Sequence, residues 1–313
     1  MAQRQVGIVL DPLDSLVVAK DSTIAIIEEL QKRNFQIVVF EPKDLYALSG
    51  KAFGHGKIIT VDVSANPYYK ITGQNVFSLD DFDAIFMRKD PPYNEEYIHT
   101  THILDLTTAR VINSPAALRY FNEKASLHLF PDITPPTLMT KSIIEIKNFI
   151  KLHKKIVIKP LNLMGGRSVF VVDEKDSNAN VIVETMTQMG QKTILAQKYL
   201  SEITKGDQRI LIFAGKPIEF QLVRKPSLDD HRGNLVAGAS YDVIPLRPSQ
   251  IKICEKLAPF FQKHTIDIVG LDMIGDYVTE INITSPTGFR EIGKGASIDV
   301  LSILINNLNL STM

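Results

Sequence analysis

Gly270-Leu271-Asp272-Met273-Ile274-Gly275-Asp276-Tyr277-Val278-Thr279-Glu280-Ile281-Asn282-Ile283 consists of two short apolar runs on either side of a Gly-Asp pair, the pattern of a β-hairpin. Side chains alternate along a strand, so Ile281 and Ile283 face a core while Glu280 and Asn282 share the other face. A carboxylate and an amide oxygen at that spacing are hard oxygen donors, suited to a Mg²⁺ ion that nucleotide phosphates also hold. Asp272, on the preceding strand, supplies a third donor. The bland alternative is a solvated hairpin face.

Register separates the two. With a two-residue Gly275-Asp276 turn, Ile274 pairs with Tyr277 and Asp272 falls opposite Thr279, on the face away from Glu280. With three turn residues, Gly275-Asp276-Tyr277, Asp272 sits opposite Glu280. A metal site here therefore requires an odd-length turn or a bulge, although Gly-Asp by itself favours the shorter turn.

Upstream, Ile156-Val157-Ile158-Lys159-Pro160 and Val169-Phe170-Val171-Val172 read as strands joined by a loop with Met164-Gly165-Gly166-Arg167-Ser168. Consecutive glycines let backbone N–H groups approach an oxyanion closely. The residues after Ser168 are β-formers, so a P-loop is excluded, and this is either a flap over phosphates or a plain Gly-Gly turn. Lys159 ends its strand five residues before Met164, within reach of phosphates beneath such a flap. Lys124, in Asn122-Glu123-Lys124, is a second candidate, and for each the alternative is a snorkelling surface lysine. Arginine suits phosphates and carboxylates because its fork donates two parallel hydrogen bonds. Candidates are Arg209 opening a strand, Arg224 closing one, Arg232 in a polar, glycine-containing stretch over 225–240, and Arg290 after the hairpin.

The first third alternates β-branched runs (7–10, 36–40, 84–87, 110–113) with helical patterns such as 21–33, predicting a mostly parallel sheet. Further on, helices are expected over 181–189, 248–264 and 298–308, with a strand over 193–197 and two more at 209–213 and 219–223. The first strand runs into Asp11-Pro12-Leu13-Asp14, not a G-x-G-x-x-G turn, which disfavours a nicotinamide enzyme. The seven histidines form no H-E-x-x-H pair and no serine sits in a G-x-S-x-G elbow. Cys254 is the only cysteine, so neither an intramolecular disulfide nor a cysteine-based zinc site is available, and its helical context marks a packing residue. Lys plus Arg and Asp plus Glu are 35 each, so no net field favours nucleic acid or an anionic membrane. The apolar run at 6–10 is too short for a signal-peptide core, and no run reaches membrane-spanning length, so a cytoplasmic protein is expected.

Taken together, these residues resemble the ATP-grasp enzymes, and most closely the bacterial type of glutathione synthetase. The matching stretches are Gly7 to Pro12, Met87-Arg88-Lys89-Asp90-Pro91-Pro92-Tyr93, Asn122-Glu123-Lys124, Lys159-Pro160 with Met164-Gly165-Gly166, and Arg232-Gly233-Asn234-Leu235. They continue through Val269 to Asp272, Thr279 to Asn282, Ser285-Pro286-Thr287 and Arg290-Glu291-Ile292. The Arg88 and Arg232 segments are specific to this family within the superfamily. Two departures are Lys198, where members often have Asn, and Leu161-Asn162-Leu163, where Asp-Gly is commoner.

The resemblance implies an α/β ATP-grasp fold with an N-terminal Rossmann-like, parallel-sheet substrate domain (1–121), a central α+β lid (122–200) and a C-terminal part (201–313). It implies ATP as co-substrate, with Lys124 and Lys159 on phosphates and Gly165 and Gly166 in the cover. Gln197, Lys198, Tyr199 and Leu200 would read adenine through backbone, with Asp207 near the ribose. Asp272, Glu280 and Asn282 would hold Mg²⁺, or Mn²⁺ in its place. Arg209, Arg224 and Arg232 would face the phosphates or the activated carboxylate. Arg88, Ser285, Thr287 and Arg290 would bind the substrate. The implied reaction joins γ-glutamylcysteine to glycine through an acyl phosphate, in a homo-oligomer with no nucleic-acid or membrane partner. The rival expectations are another ATP-grasp carboxylate–amine ligase and a non-catalytic ATP-binding module of the same fold.

Overall fold

The chain lays down its strands in three consecutive groups, and each group forms one sheet. The computed structural model describes residues 4–225 and 240–310. The first sheet contains β1 (Gln5–Val9), β2 (Gln36–Phe40), β3 (Leu45–Leu48), β4 (Lys51–Val61), β5 (Tyr69–Ser78), β6 (Ala84–Met87) and β7 (Arg110–Ile112). Strand β1 pairs in parallel with β2 and β6, and β6 with β7, as the alternating pattern predicts. The helix α1 (Ser22–Lys32) connects β1 to β2; the Asp21 side chain caps it by accepting from the Ile24 N–H at 2.8 Å. Helices α2 (Glu95–Leu104) and α3 (Pro115–Tyr120) complete this part.

The mostly parallel expectation needs one correction. Strand β4 runs antiparallel to β2, β3 and β5, so residues 45–78 form an antiparallel extension of the parallel sheet. Its apolar signal is broken by glycines that serve packing. A Cβ on Gly56 would stand 2.4 Å from Val38, and one on Gly54 2.7 Å from the Phe40 ring. Only a strand without side chains there can lie against β2.

The second sheet, ordered β10-β9-β11-β8, is wholly antiparallel: β8 (Thr137–Thr140), β9 (Lys155–Pro160), β10 (Phe170–Asp173) and β11 (Ile194–Lys198). Helices α4 (Ile143–His153) and α5 (Ala179–Met186) cover it. Helix α5 stops short of Met189 because Gln188 and Met189 take φ of 48° and 56°, outside helical space. Ile146, Ile156, Val172, Val183 and Ile194 give this layer a core of its own.

The third sheet, ordered β14-β13-β12-β15-β16, is built from β12 (Asp207–Phe213), β13 (Lys216–Lys225), β14 (Ser240–Pro245), β15 (Ile268–Ile274) and β16 (Tyr277–Asn282). Helices α6 (Pro248–Lys263), α7 (Phe289–Ala296) and α8 (Val300–Asn307) accompany it. Lys225 and Ser240 belong to strands; the rest of the polar stretch, 226–239 with Arg232 in it, lies outside the described residues. The first and third sheets share apolar clusters, with Val9 and Met87 joined to Ile210 and Leu271 in one. Arg33 ties α1 to α8 through Asn306 Oδ1 at 2.7 Å and Ser302 Oγ at 2.9 Å. The first and third sheets thus share their apolar packing, while the middle sheet has a cluster of its own and adds Leu195 of β11 to the shared one.

No helix among the described residues is long and apolar enough to cross a membrane. Cys254 is fully buried in α6, and burial pushes its thiol up to about 12. A thiol reagent such as DTNB is expected to leave the native protein untouched and to titrate one thiol per chain after denaturation. Rapid native labelling would contradict the packing role.

Candidate active site

Strands β15 and β16 meet in the two-residue turn, with Ile274 opposite Tyr277. In an unbroken hairpin Asp272 would then face Thr279. Instead the register shifts: Met273 pairs with Val278 and Asp272 with Glu280, which leaves Thr279 as the extra residue of a bulge. The bulge places Glu280 on the same face as Asp272. Thr279 Oγ1 fastens it by donating to the Asp272 carbonyl at 3.3 Å.

Asp272 stands opposite Arg209 on β12. Arg209 Nε and Nη2 donate to Asp272 Oδ1 and Oδ2 at 2.5 and 2.7 Å, and Arg224 Nη2 lies 3.1 Å from Oδ1 while also pairing with Asp207. Burial alone would raise the Asp272 pKa; the two guanidinium groups overcome it and hold the carboxyl well below the usual range. Asn282 Nδ2 donates to the Gly270 carbonyl and to Asp272 Oδ2, both at 3.0 Å. Both partners can only accept, which fixes the amide orientation and turns Oδ1 away from them.

Lys124 is buried; its Nζ lies 2.7 Å from Glu280 Oε1 and donates to the Leu163 carbonyl of the glycine loop at 2.7 Å. Lys159 Nζ donates to Gln197 Oε1 at 2.8 Å, and Gln197 Nε2 to Thr137 Oγ1 at 3.1 Å. Burial lowers the Lys159 pKa, an effect that Glu280 opposes. Neither lysine snorkels to the outer surface. Gly165 and Gly166 have φ of 69° and 70°, the left-handed conformation that residues with a Cβ rarely adopt.

A cleft opens between the second and third sheets. Lys124, Lys159, both glycines, residues 197–200, Asp207, Arg209, Arg224 and the three oxygen donors all line it. At residues 198 and 199 the N–H groups already bond to Pro136 and Lys155 carbonyls, at 2.9 and 3.1 Å. The Leu200 N–H has no backbone acceptor among the described residues.

The four substrate candidates do not line this cleft. Arg88 is buried and donates from Nη2 to the Pro286 carbonyl at 2.9 Å and from Nε to Thr23 Oγ1 at 3.2 Å. Ser285 Oγ donates to the Arg88 carbonyl at 3.3 Å, and the Thr287 carbonyl accepts from Arg209 Nη1 at 3.2 Å. Pro286 and Thr287 therefore act here through backbone carbonyls that hold two arginines, and Ser285 through its hydroxyl. Arg290 turns to α1, where it meets Glu28 Oε2 at 2.6 Å and the Asp21 carbonyl at 3.2 Å.

Sequence reasoning passed over Glu123. It is 2% exposed, and burial, with Glu280 nearby, pushes its carboxyl up to about 7. Its only visible signal is adjacency to Lys124, because its partners lie about 160 residues away in the chain.

Two carboxylates and one amide oxygen fit a hard divalent cation. Among the described residues no three His, Cys, Asp or Glu side chains gather, so a dedicated all-protein cage is not formed. A site of this size suits Mg²⁺, which keeps phosphate oxygens and water among its ligands.

Sequence comparisons point to one family, and structure comparisons to one fold. The N-terminal domain of prokaryotic glutathione synthetase matches residues 5–119, and its ATP-grasp domain matches residues 123–297. Glutathione synthetases of Vibrio vulnificus (strain YJ016) and Escherichia coli (strain K12) are 40% and 38% identical over 305 residues, 96% of both chains in each case. Among solved structures, a D-cycloserine synthetase superposes with a TM-score of 0.68 at 13% identity, covering 97% of this chain and 99% of that one. The D-alanyl-alanine synthetase A of Vibrio cholerae gives 0.61 at 13% identity, covering 99% of both. At that identity the likeness is one of fold, the ATP-grasp fold.

Proposed function

The chain belongs to the prokaryotic glutathione synthetase family, and on that premise we propose how its residues join γ-glutamylcysteine to glycine at the expense of ATP. The protein is an ATP-dependent carboxylate–amine ligase. The terminal phosphoryl group passes to the cysteinyl carboxylate, giving an acyl phosphate and ADP. Glycine's amine then attacks the acyl carbon, and phosphate leaves. No protein nucleophile is required, so catalysis consists of positioning and charge stabilisation.

Lys124 and Lys159 hold the phosphates, with the glycine loop as cover and residues 197–200 and Asp207 on the nucleoside. Arg209 and Arg224 stabilise the negative charge that develops at the transferring group and the activated carboxylate. Arg232 joins them from the 226–239 segment. Arg88, with residues 285–287 around it and Arg290 beside α1, serves the dipeptide end. Asp272, Glu280 and Asn282 would hold Mg²⁺ or Mn²⁺, which when bound supplies charge neutralisation at the phosphate oxygens. Closure of the lid excludes water, to which an acyl phosphate is labile. Residues 1–121, 122–200 and 201–313 are assigned as substrate domain, lid and C-terminal part of a cytoplasmic homo-oligomer.

The observation that carries this reading is the bulge-set pairing of Asp272 with Glu280 in a cleft ringed by Lys124, Lys159, Arg209 and Arg224. The test is ADP release with magnesium present. It is expected only when γ-glutamylcysteine and glycine are both supplied. Release driven by D-alanine would instead mark another ATP-grasp ligase, and ATP binding without turnover on any acid a non-catalytic module.

A further inference from the structure

Glu123 lies in the connection between α3 and β8, yet its hydrogen bonds all go to the far end of the chain. Its Oε1 accepts from the Ile283 N–H at 2.7 Å, the Thr284 N–H at 2.9 Å and Thr284 Oγ1 at 2.9 Å. Its backbone carbonyl accepts from the Ile281 N–H at 3.0 Å. Residues on both sides of Asn282 are thus held by one residue, while the next residue, Lys124, engages Glu280 at 2.7 Å. Asn282 sits at the last position of β16, where a strand end otherwise frays, and its Nδ2 bonds leave Oδ1 as the free donor to a cation.

We infer that Glu123 is a positioning residue for the divalent cation: by clamping Ile281, Ile283 and Thr284 it fixes the Asn282 amide oxygen relative to Asp272 and Glu280. Groups that orient metal ligands without touching the metal typically set affinity by one to two orders of magnitude. Here the orienting group is a buried carboxylate from another layer of the fold, so the clamp also fixes where the segment leading into the lid meets the cation site. What the clamp requires is an acceptor at Oε1, not a charge.

The inference rests on the reading of Asp272, Glu280 and Asn282 as cation ligands, and its test separates the two. ADP affinity is measured by calorimetry on the full chain with and without Mg²⁺, and Mn²⁺ binding to the ADP complex by electron paramagnetic resonance. Glu123→Ala is expected to weaken Mn²⁺ binding about 10-fold or more and to shrink the Mg²⁺-dependent gain in ADP affinity by a similar factor. Glu123→Gln, which keeps an acceptor at Oε1, is expected to stay close to wild type. Thr284→Val removes one of the three donors, is the safer variant for folding, and is expected to fall between. Wild-type Mn²⁺ binding in folded Glu123→Ala, or an equal loss in Glu123→Gln, overturns the inference; a lowered melting temperature with an unchanged Mg²⁺ gain does the same. Should Glu123→Ala not fold, Thr284→Val decides: weakened Mn²⁺ binding supports the clamp and unaltered binding removes it. Glu280→Gln binding Mn²⁺ like wild type would instead sink the cation site itself.

Discussion

Lys159→Met is expected to lower turnover by about 10²–10³-fold while leaving the protein at least as stable as wild type. The ammonium is held at the end of β9 with Gln197 as its hydrogen-bond partner, and burial pulls its pKa down from the ordinary value. A charge that burial disfavours stabilises a bound anion, not the empty fold. Methionine fills similar volume on β9 and removes the desolvation cost, with Gln197 Oε1 left beside a cleft that water enters. The pH dependence has a definite sign. Between the depressed folded pKa and the ordinary lysine value, the unfolded chain carries the proton and the native one does not, so wild-type stability rises with pH through that window. The Met variant lacks this contribution, and its stability relative to wild type is greatest below the window. Assays of ADP release beside calorimetric melting check both halves. Undiminished turnover would remove Lys159 from the phosphate site, and a large fall in stability would show the lysine to be structural.

The second large effect is expected at Arg209. Its two short bonds to Asp272 neutralise a carboxylate that is about 5% exposed. Removing one partner of such a pair costs about 3–5 kcal/mol, chiefly because the other charge stays buried. Arg224, 3.1 Å from the same carboxylate, keeps Arg209→Met toward the lower end of that range. The double variant Arg209→Met/Asp272→Asn should recover most of the lost stability, since no unpaired charge remains, and none of the turnover, since both the guanidinium and the proposed cation ligand are gone. Urea unfolding of the two single variants and the double variant gives the coupling energy directly. Additive losses would mean that the pair seen in the cleft contributes nothing as a pair.

How much of the molecule was legible in the sequence depends on how local each signal is. Strands β2 and β6 and the start of α1 were readable because their patterns are contiguous and capped within a few residues. The antiparallel strands β3 to β5 were not, because Gly54 and Gly56 interrupt the apolar alternation for the sake of Val38 and Phe40. In the site, the hairpin offered the three oxygen donors and a test of register. It offered no way to see Thr279 as the extra residue, since a bulge leaves no compositional mark there. Gln197 was named for its backbone, and its side chain proves to hold Lys159. Glu123 stayed invisible for a plainer reason. A buried acid is recognisable only by the donors around it, and those come from the opposite end of the chain.

The extra residue at Thr279 also makes the length of this hairpin a chemical quantity. Seven residues separate Asp272 from Glu280, an odd number that a two-residue turn accommodates only with a bulge; with one residue deleted, an unbroken ladder would span the remaining six with the two carboxylates still opposite each other. The same seven residues without the bulge would set Asp272 opposite Thr279 and send Glu280 to the other face. The match between residue count and bulge, rather than composition, is what this turn must preserve.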